Sequence, residues 1–194
     1  DDVLEVLDKT LFDGSRLDEA EKDSARALFA RMTPGLAPGY RFELVFRSGE
    51  RIGANAFALP TGTIVVTDEL IKAIEHPGEL ESILAHEVGH VVQRHSLRQL
   101  IQGSTIALIM MAVTGDISAV AAMSGALPVL LTETYYSREF EREADQYAYH
   151  HLHARGISPQ HFVRILERIA GSGETIGFLS THPSVDERLQ TFSR

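Results

Sequence analysis

This sequence of 194 residues predicts an α+β fold, mostly helical with one small antiparallel sheet. Three observations carry that expectation. Strand-like patterning is confined to the stretch between Arg41 and Thr67. On both sides of it apolar residues recur at i, i+3 and i+4, the period of a helix that packs on one face. Proline and glycine punctuate the chain at Thr33-Pro34-Gly35, Pro38-Gly39, Ser48-Gly49 and Pro60-Thr61-Gly62, the joints between those patterns. Hydrophobic content of 44 % and a length suited to one substantial core make a single domain over residues 1–194 the default. It divides into N-terminal helices (1–39), the sheet (40–67) and a helical part (68–194).

Taken in order, residues 1–32 read as two acidic amphipathic helices split near Asp13-Gly14-Ser15. Leu4, Leu7, Leu11, Ala25, Leu28 and Phe29 are their buried positions. From Arg41 to Arg47, Phe42, Leu44 and Phe46 alternate against Arg41, Glu43 and Arg47, which predicts a half-buried strand that Ser48-Gly49-Glu50 turns back. Strands from Ile52 to Leu59 and from Thr63 to Thr67 follow, joined through Pro60-Thr61-Gly62. Leu80, Ile83, Leu84, Val88, Val91 and Val92 then form a helical stripe with no proline after Pro77.

The most hydrophobic stretch, Gln99 to Thr132, is cut at Gly115-Asp116 into uncharged runs of 17 and 16 residues. Each is short for a membrane span, which needs about 20 apolar residues. It reads first as a buried helical hairpin and second as a surface that meets membrane or a partner protein.

The formal net charge of −9, with no long Lys/Arg cluster, argues against nucleic acid or an anionic membrane surface as an electrostatic partner. With no cysteine, the chain has no disulfide, no thiolate ligand and no thiol nucleophile, and its compartment stays open. It begins Asp1-Asp2, which reads as a mature or trimmed piece of something longer.

Chemistry enters at His86-Glu87-Val88-Gly89-His90. On a helix, imidazoles four residues apart project from one face and can hold one zinc ion, and the carboxylate between them is placed to take a proton from water. A catalytic zinc usually has three protein ligands. Gln93 and Ser96 stand where a metzincin would have Gly and His, so that clan is excluded. The next acid after His90 is Asp116, so the third donor comes from farther on. In the helix that starts near Glu133, rotation of 100° per residue puts Glu141 and Asp145 on the face of Ala144, Ala148 and Leu152. Glu141 is then the inward ligand, and Asp145 is placed to fix the tautomer of a ligating histidine. Glu139 and Glu143 point to the opposite, solvated side, so replacing Glu143 should barely alter metal binding.

With HEVGH, the Glu-x-x-x-Asp of Glu141 and Asp145, the Ser137-Arg138 lead-in, Asn55 to Gly62 and Ser180-Thr181-His182-Pro183, the chain resembles the gluzincin peptidases of the HtpX, BepA and type I CaaX prenyl protease family. The resemblance covers roughly residues 40 to 194 and is nearest the BepA and mitochondrial Oma-type branch; residues 1–39 match no recognised motif. It implies a zincin-like metallopeptidase whose sheet borders the cleft, with one zinc on His86, His90 and Glu141 and with Glu87 as general base. It further implies a strand edge at Asn55 and Ala56 that pairs with substrate backbone. His182, just before Pro183 and a Ser184-x-x-Glu187 capping box, would be either a conditional fourth ligand that keeps the enzyme latent or a donor to the oxyanion. Gly171-Ser172-Gly173 offers that segment a hinge. The other histidines, His76, His95, His150, His151, His153 and His161, read as surface polarity.

The function expected is zinc-dependent hydrolysis of unfolded or misassembled envelope proteins, in the periplasm or at the membrane. Polypeptide is the substrate, and 99–132 is the candidate contact for membrane or envelope protein. The rivals are a chaperone-like binding module of the same fold and a purely structural zinc, which would have no need of Glu87.

Overall fold

The computed structural model describes residues 2–36, 40–114 and 136–171, together with Phe178, His182 and Phe192. The N-terminal half carries α1 (Asp2–Thr10), β1 (Asp13–Gly14), α2 (Glu19–Met32), β2 (Glu43–Ser48), β3 (Ala56–Ala58) and β4 (Thr63–Thr67). Helices follow: α3 (Asp68–Ala73), α4 (Pro77–Val92), α5 (His95–Thr114), α6 (Arg138–Ala154) and α7 (Gln160–Gly171). The fold is α+β, as expected.

The sheet departs from expectation in its topology. Its strand order is β1-β2-β4-β3, and β2 runs parallel to β4, so the sheet is mixed and not antiparallel. All five residues of β4 are buried, as suits an inner strand with both faces covered, whereas β2, the other inner strand, alternates and leaves one face half open. The chain after β2 does not return as a hairpin: Ile52 and Gly53 both donate to the Gly49 carbonyl, and this turn shortens the expected strand from Ile52 to the three residues of β3. The short β1, unforeseen, pairs with Arg47 and Ser48.

Helix α4 runs through the core, with every residue from Gly78 to Val91 buried. Complete burial of Ile83 and Leu84 contributes roughly 1.5–3 kcal/mol each. Its start is fixed by sequence: Pro77 opens the helix, the His76 side chain accepts from the Gly78 N–H, and Glu79 reaches back to the His76 N–H. Glu79 is 1 % exposed and is held by a fork from Arg168 on α7, at 2.8 and 3.1 Å, which ties α7 to the head of α4.

Burial alone would raise the Glu79 pKa, but Arg168 and the N–H groups of Glu75 and His76 outweigh it and hold the carboxyl below its usual range. A depressed carboxyl pKa contributes stability above the unfolded-state value near 4.3 and loses it as pH falls through the folded value. Glu79→Ala is therefore expected to cost about 2 kcal/mol at pH 7, by removing the charged acceptor of the His76 N–H and of Arg168, which keeps Glu75 and the Ala73 carbonyl, and to flatten the acid limb of a denaturation curve. Urea melts of both proteins at pH 7 and pH 3 check this; an equal loss at both values contradicts it.

Gly89 sets the closest approach in the core. A Cβ there would sit 3.1 Å from Ala144 Cα and 3.1 Å from Tyr147 Cβ, so glycine lets α6 lie against the α4 segment that carries the two histidines.

Helix α5 corrects the expectation of a buried hairpin for the part described. Leu97, Ile101, Ile109 and Val113 are 45, 57, 57 and 76 % exposed. The rest of 99–132, from 115 onward, lies outside the described residues. Among the described residues no helix is long and apolar enough to cross a membrane.

Candidate metal centre

His86, His90, Glu141 and His182 converge, each offering one ligand atom, all within 4.8 Å of one another and all buried. Helix α4 presents the two histidines from adjacent turns, and α6, whose first turn is capped by the Ser137 side chain, presents Glu141 from the facing side. His182 arrives from the C-terminal stretch: its N–H donates to the Phe178 carbonyl at 2.9 Å, and its ring stacks on Phe178. The Phe178 N–H donates to the Ala54 carbonyl, which anchors this stretch beside β3. The capping box at Ser184 and the hinge residues beyond Gly171 lie outside the described residues.

Four of the separations between donor atoms are close to those of a tetrahedral shell. His86 Nε2 is 2.9 Å from His90 Nε2 and 3.3 Å from His182 Nδ1. Glu141 Oε1 is 3.3 Å from His90 Nε2 and 2.9 Å from His182 Nδ1. Bonds of about 2.0–2.1 Å to a tetrahedral zinc would separate its ligands by about 3.3 Å. The His86 tautomer is set from outside, because Nδ1 lies 2.9 Å from Asp145 Oδ1 and a carboxylate accepts. Its Nε2 therefore faces inward as a lone pair. Three imidazoles and one carboxylate are a donor set that suits zinc.

Protonation favours the same use. Burial pushes the His90 pKa well below its usual value; Glu141 opposes this and His86 and His182 add to it. Burial would raise Glu141, but His182, His86 and His90 beside it hold its carboxyl well below the usual range. At neutral pH the pair offers an unprotonated imidazole and an ionised carboxylate, the forms that bind a metal.

Glu87 is completely buried, and its Oε1 lies 3.4 Å from His182 Nε2. The His182 ring thus stands between the two carboxylates, with Nδ1 toward Glu141 and Nε2 toward Glu87.

Asn55 and Ala56 lie at the start of β3, an edge strand in the sheet order. The exposed edge expected there is absent: Asn55 is 2 % and Ala56 0 % accessible, and the Ala56 N–H donates to Asn55 Oδ1 at 2.8 Å. The side-chain carbonyl of Asn55 is turned onto the N–H of the next residue.

Glu143 lies away from the donor cluster and half exposed, as the helical face requires, yet it is not simply solvated. It pairs with Arg98 and with His95, and His95 is buried against His90. Reading His95 as surface polarity is therefore corrected. So, in part, is that of His76, which caps α4 and stacks on His161 at 4.1 Å, and of His151, which pairs with buried Glu81. His150 and His153 are exposed. Tyr136 was also missed: its ring stacks on His90 at 4.1 Å while its hydroxyl meets Ser96. Periodicity gives no warning of either, since both depend on the chain breaks at residues 93–94 and before residue 138.

A family model described as peptidase family M48 matches residues 19–194, which extends the resemblance N-terminally from about residue 40 into α2. The metalloprotease YcaL of Escherichia coli is 31 % identical over 142 residues, covering 70 % of this chain and 56 % of that protein. The beta-barrel assembly-enhancing protease of Yersinia pestis is 31 % identical over 149 residues, 70 % of this chain and 31 % of that one. The mitochondrial metalloendopeptidase OMA1 of Arabidopsis thaliana is 29 % identical over 142 residues, 72 % of this chain and 29 % of that one. The chain thus spans from under a third to just over half the length of these relatives.

Proposed function

The chain belongs to peptidase family M48, and from that premise we propose that it is a metallopeptidase, a zinc-dependent endopeptidase of the cell envelope, held latent by His182, that hydrolyses unfolded or misassembled proteins. The observation that carries the catalytic part is the buried convergence of His86, His90, Glu141 and His182 with Glu87 alongside. His86, His90 and Glu141 would hold the zinc. When bound, zinc supplies Lewis acidity and lowers the pKa of water toward about 7.

Glu87 accepts the proton of the water that attacks the scissile carbonyl carbon and returns it to the leaving amine as the C–N bond breaks. Its complete burial strengthens every electrostatic contact it makes during that exchange. In the resting arrangement His182 lies between Glu87 and Glu141, where water and carbonyl must enter, so the ring has to withdraw before hydrolysis begins.

Two observations support the substrate and the compartment. A relative at 31 % identity is named for enhancing β-barrel assembly. Leu97, Ile101, Ile109 and Val113 repeat at multiples of four along α5 and are exposed, an apolar line suited to unfolded chain or to a membrane surface. The binding-module alternative is not favoured, since these relatives are named as proteases or endopeptidases.

Incubation of the purified protein and of His182→Ala with casein, after chelation and again after zinc restoration, tests the proposal. Zinc-restored cleavage that chelation abolishes is expected. Cleavage indifferent to chelation, or none from either protein with zinc restored, overturns it.

A further inference from the structure

We propose that His95 is a positioning residue for His90: it fixes the proton of that imidazole on Nδ1, so that Nε2 faces the metal cluster as a lone pair, and it is itself anchored by Glu143 and Arg98. The inference rests on reading His90 as a metal ligand and assigns His95, Glu143 and Arg98 a part that the family resemblance does not.

With both imidazoles neutral, the hydrogen bonds leading inward from the surface leave one arrangement of protons. Glu143 Oε2 takes a contact from Arg98 Nη1 at 2.5 Å, which balances its charge, and lies 3.0 Å from His95 Nε2. A carboxylate accepts, so His95 Nε2 donates. A neutral imidazole with its proton on Nε2 offers a lone pair at Nδ1, and that atom is 2.8 Å from His90 Nδ1. His90 Nδ1 must then donate, which leaves Nε2 deprotonated at 2.9 Å from His86 Nε2. The two α4 histidines are therefore oriented alike: His86 by Asp145 directly, and His90 by Glu143 through one intervening imidazole.

The fold is arranged to allow it. In an uninterrupted helix residues 90 and 95 would project about 140° apart. Helix α4 instead ends at Val92, and Arg94 adopts the left-handed conformation with φ 57°, so that α5 restarts at His95 and turns that ring back onto His90. The ring plane of His95 is fixed by stacking on Phe140 at 4.5 Å and 9°, and the Arg98 guanidinium lies 4.4 Å from the same Phe140 ring. Helices α5 and α6 thus each contribute one half of the relay.

Partners of this kind typically change metal affinity 10- to 100-fold. The test is zinc affinity by competition with a chromophoric chelator for the wild type, His95→Leu, His95→Asn and Glu143→Ala, with folding followed by circular dichroism. His95→Leu keeps the apolar packing and is expected to bind zinc about 10- to 100-fold more weakly. His95→Asn should recover most of that loss, because its amide oxygen can accept in place of Nδ1, which a purely steric role would not require. Nitrogen-15 spectra of the zinc-loaded wild type should show His90 protonated at Nδ1. Wild-type affinity in a folded His95→Leu, or a His90 proton on Nε2, overturns the relay. Should His95→Leu not fold, the half-exposed Glu143 carries the test: its outward direction alone implied almost no effect on metal binding, whereas its contact with His95 makes the expected loss for Glu143→Ala about tenfold, and no loss overturns the proposal. A wild type that takes up no zinc, or a His90→Ala that binds it equally well, would overturn the parent reading instead.

Discussion

Glu87→Gln is expected to bind zinc as the wild type does and to lose about 10² to 10⁴ in turnover on an unfolded substrate, the range for a missing general base. The substitution preserves the shape of a side chain that is completely buried in α4, so packing is not the variable. It removes only the ability to accept a proton from water and pass it to the leaving amine. Two measurements are needed together: zinc content after dialysis and the initial rate of casein hydrolysis. Full zinc content with near-wild-type turnover would remove Glu87 from the mechanism and would revive a structural role for the metal.

His182→Ala is expected to change activity in the opposite direction. The imidazole reaches Glu141 Oε1 at 2.9 Å and Glu87 Oε1 at 3.4 Å, and it occupies the space that the reaction needs. If the open arrangement is held by about a tenth of the molecules, deleting the ring raises basal hydrolysis about tenfold. Were the imidazole chiefly a donor to the oxyanion, its loss would instead cost on the order of 10² to 10³. The sign of the change separates the two roles, with zinc content and circular dichroism as controls. A fall of that size would contradict latency.

Much of the site was legible in the sequence because helical periodicity is local. His86, Glu87 and His90 have a fixed geometry once the stripe from Leu80 to Val92 makes that segment a helix, and the same 100° rotation places Glu141 and Asp145 inward and Glu143 outward. What the sequence did not disclose depends on chain breaks and on contacts between distant segments. The sheet is mixed because β4, and not the nearer β3, pairs with β2, a contact between segments 20 positions apart that no single strand's pattern announces. The role of His95 depends on a left-handed Arg94, a conformation that an arginine does not announce. Glu143 shows both sides of the matter, since its outward direction followed from helix geometry while its connection to His90 passes through a residue 48 positions away.

The most direct test of the account is zinc-edge anomalous diffraction from crystals of the zinc-loaded protein. One peak about 2.0–2.2 Å from His86 Nε2, His90 Nε2 and a Glu141 oxygen, with Asp145 and Glu143 outside bonding distance, is the expected result. A peak elsewhere, or one bonded to Asp145 or Glu143 in place of Glu141, would contradict it.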